Sequence, residues 1–259
     1  MDNIYGETLI PLLAPTNTGN NSALISSCDG MKLPVMLDGR TLYKDGAWNT
    51  LCLPFNVSLS GSPLNGAEAR PLTSGSISDD QTTISLEFGD AVTELVAGTP
   101  YIIRWPKAND YVNDDAHNIV SPVFGTKTID ATDRSYDNGE SGDKHVRFVG
   151  TYDTKAFSSK DYSILLMGGE NTLYYPASGA GIGAQRAYLK IGDEGAANVR
   201  RLTAFDISFG DDNTTGIISI STEDSSSANG WYTIDGRRLS GKPTASGVYV
   251  NSGRKVLIK

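Results

Sequence analysis

The stretch that most limits what this chain can become runs from Leu42 to Phe55: Leu42-Tyr43-Lys44-Asp45-Gly46-Ala47-Trp48-Asn49-Thr50-Leu51-Cys52-Leu53-Pro54-Phe55. A short apolar run meets an Asp-Gly pair and then a longer apolar run. Glycine accepts the positive φ of a tight turn, so Asp-Gly between apolar runs predicts a hairpin. Beyond the turn, an extended chain places Trp48, Thr50, Cys52 and Pro54 on one side and Asn49, Leu51, Leu53 and Phe55 on the other. Only Asn49, Thr50 and Pro54 are not apolar. A strand apolar on both faces belongs between two layers, which predicts a central strand of a two-layer β domain. Pro54 donates nothing to a ladder, so pairing should stop or bend there.

From Ala23 onward, further strand candidates recur at the spacing of a sandwich or barrel. They include Ala23 to Cys28, Lys32 to Leu37, Ala67 to Leu72, Thr99 to Trp105, Val120 to Thr128, His145 to Asp153, Tyr162 to Met167 and Ala187 to Ile191. Thr83 to Phe88 and Thr203 to Phe209 alternate, with Ile84, Leu86, Phe88, Phe205, Ile207 and Phe209 inward, so each should have one wet face. No segment carries a convincing helical stripe, and the lack of alternating helix and strand patterns disfavours an α/β fold. The expected fold is all-β, an antiparallel β-sandwich, jelly-roll-like arrangements included, with a small C-terminal β unit. The expected boundaries are 1–22 as a linker or edge segment, 23–216 as the sandwich and 217–259 as the small unit. The serine run from Glu223 to Asn229 reads as a linker within this last part.

The motif Trp-Asn-Thr-Leu-Cys-Leu-Pro-Phe (Trp48 to Phe55), following Gly39 to Ala47, resembles one in large surface and secreted proteins of gut Bacteroidetes. Ala97 to Trp105, Phe148 to Tyr152, Asn171 to Pro176 and the tail Trp231 to Val250 fit the same family, so the similarity covers most of the chain from about residue 23. The tail looks like the C-terminal sorting or attachment modules of such proteins: an Asp-Gly turn, a Gly-Val-Tyr strand and a basic hairpin. The resemblance implies export and an extracellular or cell-surface location. It brings no catalytic residues with it.

Charge narrows the partners. A formal net charge of -8 argues against nucleic-acid backbones and anionic membrane surfaces, and an acidic polymer would be repelled. No run approaches a membrane span, and no export signal is visible: Asp2 and Glu7 precede the short apolar patch Leu9 to Ala14 where a signal would carry Lys or Arg. Cys28 and Cys52 are the only cysteines. They can bridge or remain two buried thiols; both lie in apolar runs, which favours thiols. No cysteine or histidine spacing suits a structural zinc, and no cofactor is expected.

Candidate sites are few. His117 and His145 are far apart in sequence, no Gly-x-Ser-x-Gly elbow occurs, and both read as surface or strand-end residues. A carbohydrate-acting hydrolase needs a carboxylate pair, yet Glu68, Glu87, Glu94, Glu140, Glu170 and Glu194 fall mostly in turns or on solvent faces. Two acidic loops, Pro106 to Ser121 and Asp130 to Lys144, are oxygen-rich enough for calcium. The spacing from Asp133 misses the EF-hand pattern, with Gly139 one place late and Lys144 where the closing Glu belongs. Trp105, which ends a strand before Pro106, and Tyr111, in the first acidic loop, are the aromatics expected to face outward and stack a glycan. The leading expectation is a non-catalytic surface module for display, adhesion or scaffolding. A carbohydrate-binding module comes second and a carbohydrate hydrolase third. An anionic envelope component is a further candidate partner, through the basic tail residues Arg237, Arg238, Lys242, Arg254, Lys255 and Lys259.

Overall fold

Asn49–Cys52 is a strand whose last three residues are buried, as an apolar run on both faces demands. It pairs antiparallel with Pro100–Arg104, the first step of a six-stranded sheet that continues through Glu68–Ile77, Thr83–Phe88, Ala204–Ser208 and Thr215–Ser219. The computed structural model describes residues 10–13, 21–168, 172–193, 202–209, 215–219, 231–233, 238–239, 243, 247–251 and 254–258. It divides into two units, Met1–Ser221 and Thr222–Lys259. The first is mostly strand, with one seven-residue helix and a single 3-10 turn among the described residues. It is sandwich-like, and among the described residues no barrel closes.

Two cores flank the strand Asn49–Cys52. On one side Leu51, Leu53 and Phe55 join Tyr101, Ile103, Val35 and Leu37. There the covering layer is a three-stranded sheet of Ile10–Leu13, Lys32–Asp38 and Val123–Thr128. On the other side Trp48 and Ile102 join Phe88, Phe148, Leu165 and Leu189. That layer is a five-stranded sheet, ordered Tyr136–Asp137, Val146–Thr151, Arg186–Ile191, Ile164–Met167 and Leu173–Tyr174. Burying one such large apolar side chain stabilises by roughly 1.5–3 kcal/mol. Farther along the large sheet only one face is covered. Thr83–Phe88 buries Ile84, Leu86 and Phe88 while Ser85 and Glu87 stay exposed, as their alternation predicts.

Three expectations are corrected here. Asp45-Gly46 does turn, with Gly46 at φ 88° and Asp45 Oδ1 accepting the Ala47 N–H at 2.9 Å. It does not close a hairpin, because Thr41–Leu42 pairs with Ile119–Val120 and Asn49–Cys52 with Pro100–Arg104. A turn signal fixes where the chain bends, not which strand it meets. Asn49–Cys52 lies at the edge of its sheet, not at the centre. That edge is closed by the neighbouring layer: Cys52 N–H donates to Gln185 O at 3.4 Å, and Ala187 N–H donates to Thr50 Oγ1 at 3.1 Å. Ala23 to Cys28, expected as a strand, lies mostly within the helix Asn21–Ser27. Its first turn is satisfied from a distant loop, Asp153 Oδ1 accepting the Ser22 N–H at 3.0 Å. Leu24, Ile25 and Cys28 pack on the first core, a stripe too short to recognise in so few residues.

Most pairings are antiparallel. Ile10–Leu13 with Lys32–Asp38 and Ala204–Ser208 with Thr83–Phe88 are parallel. Ile10–Leu13 is thus the edge strand considered for the N-terminal segment. Thr215–Ser219 pairs with Ala204–Ser208, so residues 217–219, expected in the small C-terminal unit, belong to the large sheet. The second unit is a four-stranded antiparallel sheet, ordered Arg238–Leu239, Trp231–Thr233, Gly247–Asn251 and Arg254–Ile258. The serine run expected as a linker, and Arg237, Lys242 and Lys259 of the basic tail, lie outside the described residues.

Leu51→Ala should lower unfolding free energy by about 2–5 kcal/mol and Glu87→Ala by less than about 0.5 kcal/mol, measured by urea titration. At Gly150 an added Cβ would strike Cys52 Sγ. Alanine in a strand otherwise gains roughly 0.5–1 kcal/mol over glycine, so Gly150→Ala should still lose stability, by about 1–2 kcal/mol. In a Cys52→Ala background most of that loss should vanish, which a double-mutant cycle reads directly.

Candidate functional site

Trp105 does not face outward. It is 2% exposed, and its Nε1–H donates to Asn65 O at 3.1 Å. Alternation explains this: Tyr101, Ile103 and Trp105 fall on one face and enter the first core, and the strand's period persists to the residue before Pro106. Tyr111 is half-buried. Its hydroxyl is held within the loop, its one proton shared between Asn118 Oδ1 at 3.0 Å and Asn113 Oδ1 at 3.3 Å. The two residues expected to form a glycan platform share no exposed face, since one is sealed in the core.

Several groups capable of acid–base or nucleophilic work are held in structural contacts. His117 Nδ1 lies 2.7 Å from Asp114 Oδ1. His145 sits between two acids, with Nδ1 2.9 Å from Asp193 Oδ1 and Nε2 3.0 Å from Asp137 Oδ1. Carboxylates only accept, so both contacts are satisfied together when each ring nitrogen carries a proton. Glu68 receives Arg70 Nε at 2.7 Å and Arg104 Nε at 2.9 Å. Glu170 and Glu194 lie outside the described residues. Cys28 and Cys52 are not bridged. Burial pushes the Cys52 thiol up to about 12, so it stays protonated, and its S–H donates to the Tyr152 hydroxyl at 3.8 Å.

The acidic loops are built by their own carboxylates. Asp114, Asp130, Asp133 and Asp137 each accept the backbone N–H two residues on: Ala116, Thr132, Ser135 and Gly139. Asp45, Asp80 and Asp161 do the same elsewhere. A side chain that mimics a backbone turn fixes the loop locally. Among the described residues, no group of three or more His, Cys, Asp or Glu side chains is arranged to hold a metal ion.

A different region collects unpaired cationic groups. Two adjoining cavities of about 260 Å³ each are both lined by Thr50, Met167 and Arg186. Tyr174 and Ile182 line one; Tyr43, Asp45 and Trp48 line the other. Arg186 opens its strand and follows Gln185, which is fully buried with φ 53°. Behind Thr50 lies Arg40, 0% exposed. Its Nη2 donates to Thr50 O at 3.2 Å, while Nε and Nη1 are enclosed and, among the described residues, have no partner. Burial holds the Arg40 guanidinium well below its ordinary value, and the charge of Arg186 lowers it further. Arg186 is lowered as well, chiefly by burial. Neither arginine stood out in the sequence. Arg186 precedes Tyr188 and Lys190 in an alternating strand and reads as part of a wet face; Arg40 sits beside the Gly39 turn.

Compared with protein-family models, curated proteins and solved structures, the chain matches none, so the site rests on its own geometry.

Thiol labelling of the native protein should modify half-buried Cys28 and spare Cys52, with two thiols titrating after denaturation; none would reveal a bridge. Hydrogen bonds from Thr132 and Arg134 hold the Asp130 carboxyl down to about 2, below the unfolded value of about 3.9. A lowered folded value gives stability that is present above pH about 4 and lost as pH falls toward about 2. Asp130→Asn keeps the turn acceptor but loses that dependence, so its stability should vary less than wild type between pH about 2 and 4.

Proposed function

We propose that the chain is a non-catalytic module of an exported, surface-associated bacterial protein, with a display, adhesion or scaffold role. The observation that carries this reading is His145 clamped between Asp137 and Asp193: the residue type most suited to proton transfer is committed to a structural contact. The placement of Trp105 in a core and the thiol chemistry of Cys52 point the same way. Resemblance of the Trp48 to Phe55 motif and of the tail to Bacteroidetes secreted proteins supports export. In this reading the tail serves attachment, its basic residues meeting an anionic envelope component.

A second reading, a carbohydrate-binding module, is favoured by the aromatic lining of the groove beside Arg186. Tyr43 is 38% exposed there, with Trp48 and Tyr174 close by. It moves the ligand surface away from Trp105 and Tyr111.

Protease treatment of intact cells producing a tagged full-length parent should remove the tag under the first reading; full protection would sink it. Deleting Trp231 to Lys259 should reduce surface retention. Purified protein should release no reducing sugar from a polysaccharide panel, and migration in polysaccharide-loaded native gels separates the two readings, retardation favouring the second.

A further inference from the structure

This fold shows elsewhere how it accommodates a buried arginine. Arg70 is 7% exposed, and its donors reach Glu68 Oε1, Gly89 O and Phe209 O. A guanidinium taken out of water is tolerated when its donors are occupied and its charge is opposed. Arg40 has one described partner, a neutral carbonyl. Arg186, among the described residues, has no side-chain hydrogen bond or ion pair. Asp45, on the rim of the same cavity, turns Oδ1 to its own loop. Two like charges thus lie near one another, unopposed by a carboxylate contact, beside a cavity that opens outward. Such an arrangement is costly unless an anion completes it.

We infer that the groove lined by Thr50, Met167 and Arg186 is a binding site for one compact oxyanion, a carboxylate or sulfate group, carried by a ligand no larger than a monosaccharide. Arg186 contacts the ligand; its planar fork matches two oxyanion oxygens at once. Arg40 stays behind Thr50 and contributes charge without contact. Size follows from the cavities, about 260 Å³ each, just below the range of roughly 300–1,000 Å³ for drug-sized ligand sites. Tyr43 and Tyr174 line the cavities beside the uncharged part of the ligand. A long polyanion is disfavoured by the net charge of -8, which repels an extended acidic chain while leaving a single charge bound at short range. The inference does not depend on export or display, because it concerns only the chemistry of the groove.

The test is calorimetric titration of the full chain with sodium glucuronate, sodium sulfate and glucose, at constant ionic strength in chloride. Saturable binding of glucuronate with none of glucose is expected. Sulfate binding alongside it supports recognition of the oxyanion alone; its absence supports recognition of an oxyanion on a sugar ring. Arg186→Lys should weaken binding about tenfold, because charge is kept and the fork lost, and Arg186→Gln should abolish it. Arg186→Gln removes a charge that opposes Arg40, so it should fold at least as stably as wild type. Should it not fold, the lysine variant carries the comparison. No binding of either anion, or binding equal in wild type and both variants, overturns the proposal.

Discussion

The rest of the first unit depends on one constraint: the segment Trp48 to Phe55 is dry on both sides. Leu51, Leu53 and Phe55 feed one core and Trp48 the other, so layers must exist above and below it. Those layers come from distant chain, Lys32–Asp38 and Val123–Thr128 on one side, Val146–Thr151 and Arg186–Ile191 on the other. Once both are in place, the strand can stand at the edge of its sheet without an open row of donors, because Gln185 O and Thr50 Oγ1 complete the pairing across the layer. An exposed, flat, apolar edge would invite aggregation. Here the edge is lined instead by packed chain.

Acidity has a structural use as well as a colloidal one. Many aspartates of the polar loops accept a nearby backbone N–H, and two of them grip His145. The loops are therefore ordered by many short contacts, each modest in net worth. This also gives the contrast around Arg186 its meaning. A chain with more acids than bases, 30 against 22, nevertheless leaves one buried and one half-buried guanidinium, Arg40 and Arg186, without a carboxylate partner among the described residues.

Most strands were legible because their signal is local. Ile84, Leu86 and Phe88 alternate with polar residues, and the structure buries those three. The two-faced apolar run at Trp48 gave the layering. What was not legible depended on partners remote in sequence. The helix Asn21–Ser27 receives its first-turn acceptor from Asp153, 131 residues away. The Asp45-Gly46 turn gave no clue that its two arms would join different sheets. Trp105 keeps its strand's alternation to the residue before Pro106 and so enters the core, where the proline alone suggests an outward-facing end. The arginine pair escaped notice because sequence gives no distance between Arg40 and Arg186, and an isolated arginine reads as a solvated one.

The parallel pairing of Ala204–Ser208 with Thr83–Phe88 bears on the order of assembly. Thr203 N–H reaches Thr82 O across 121 positions of chain, so one side of Thr83–Phe88 stays unpaired until that distant segment arrives. Non-local closure of this kind slows folding. Until then the open side of Thr83–Phe88 is a bare ladder edge, a surface on which a second copy of the chain can pair.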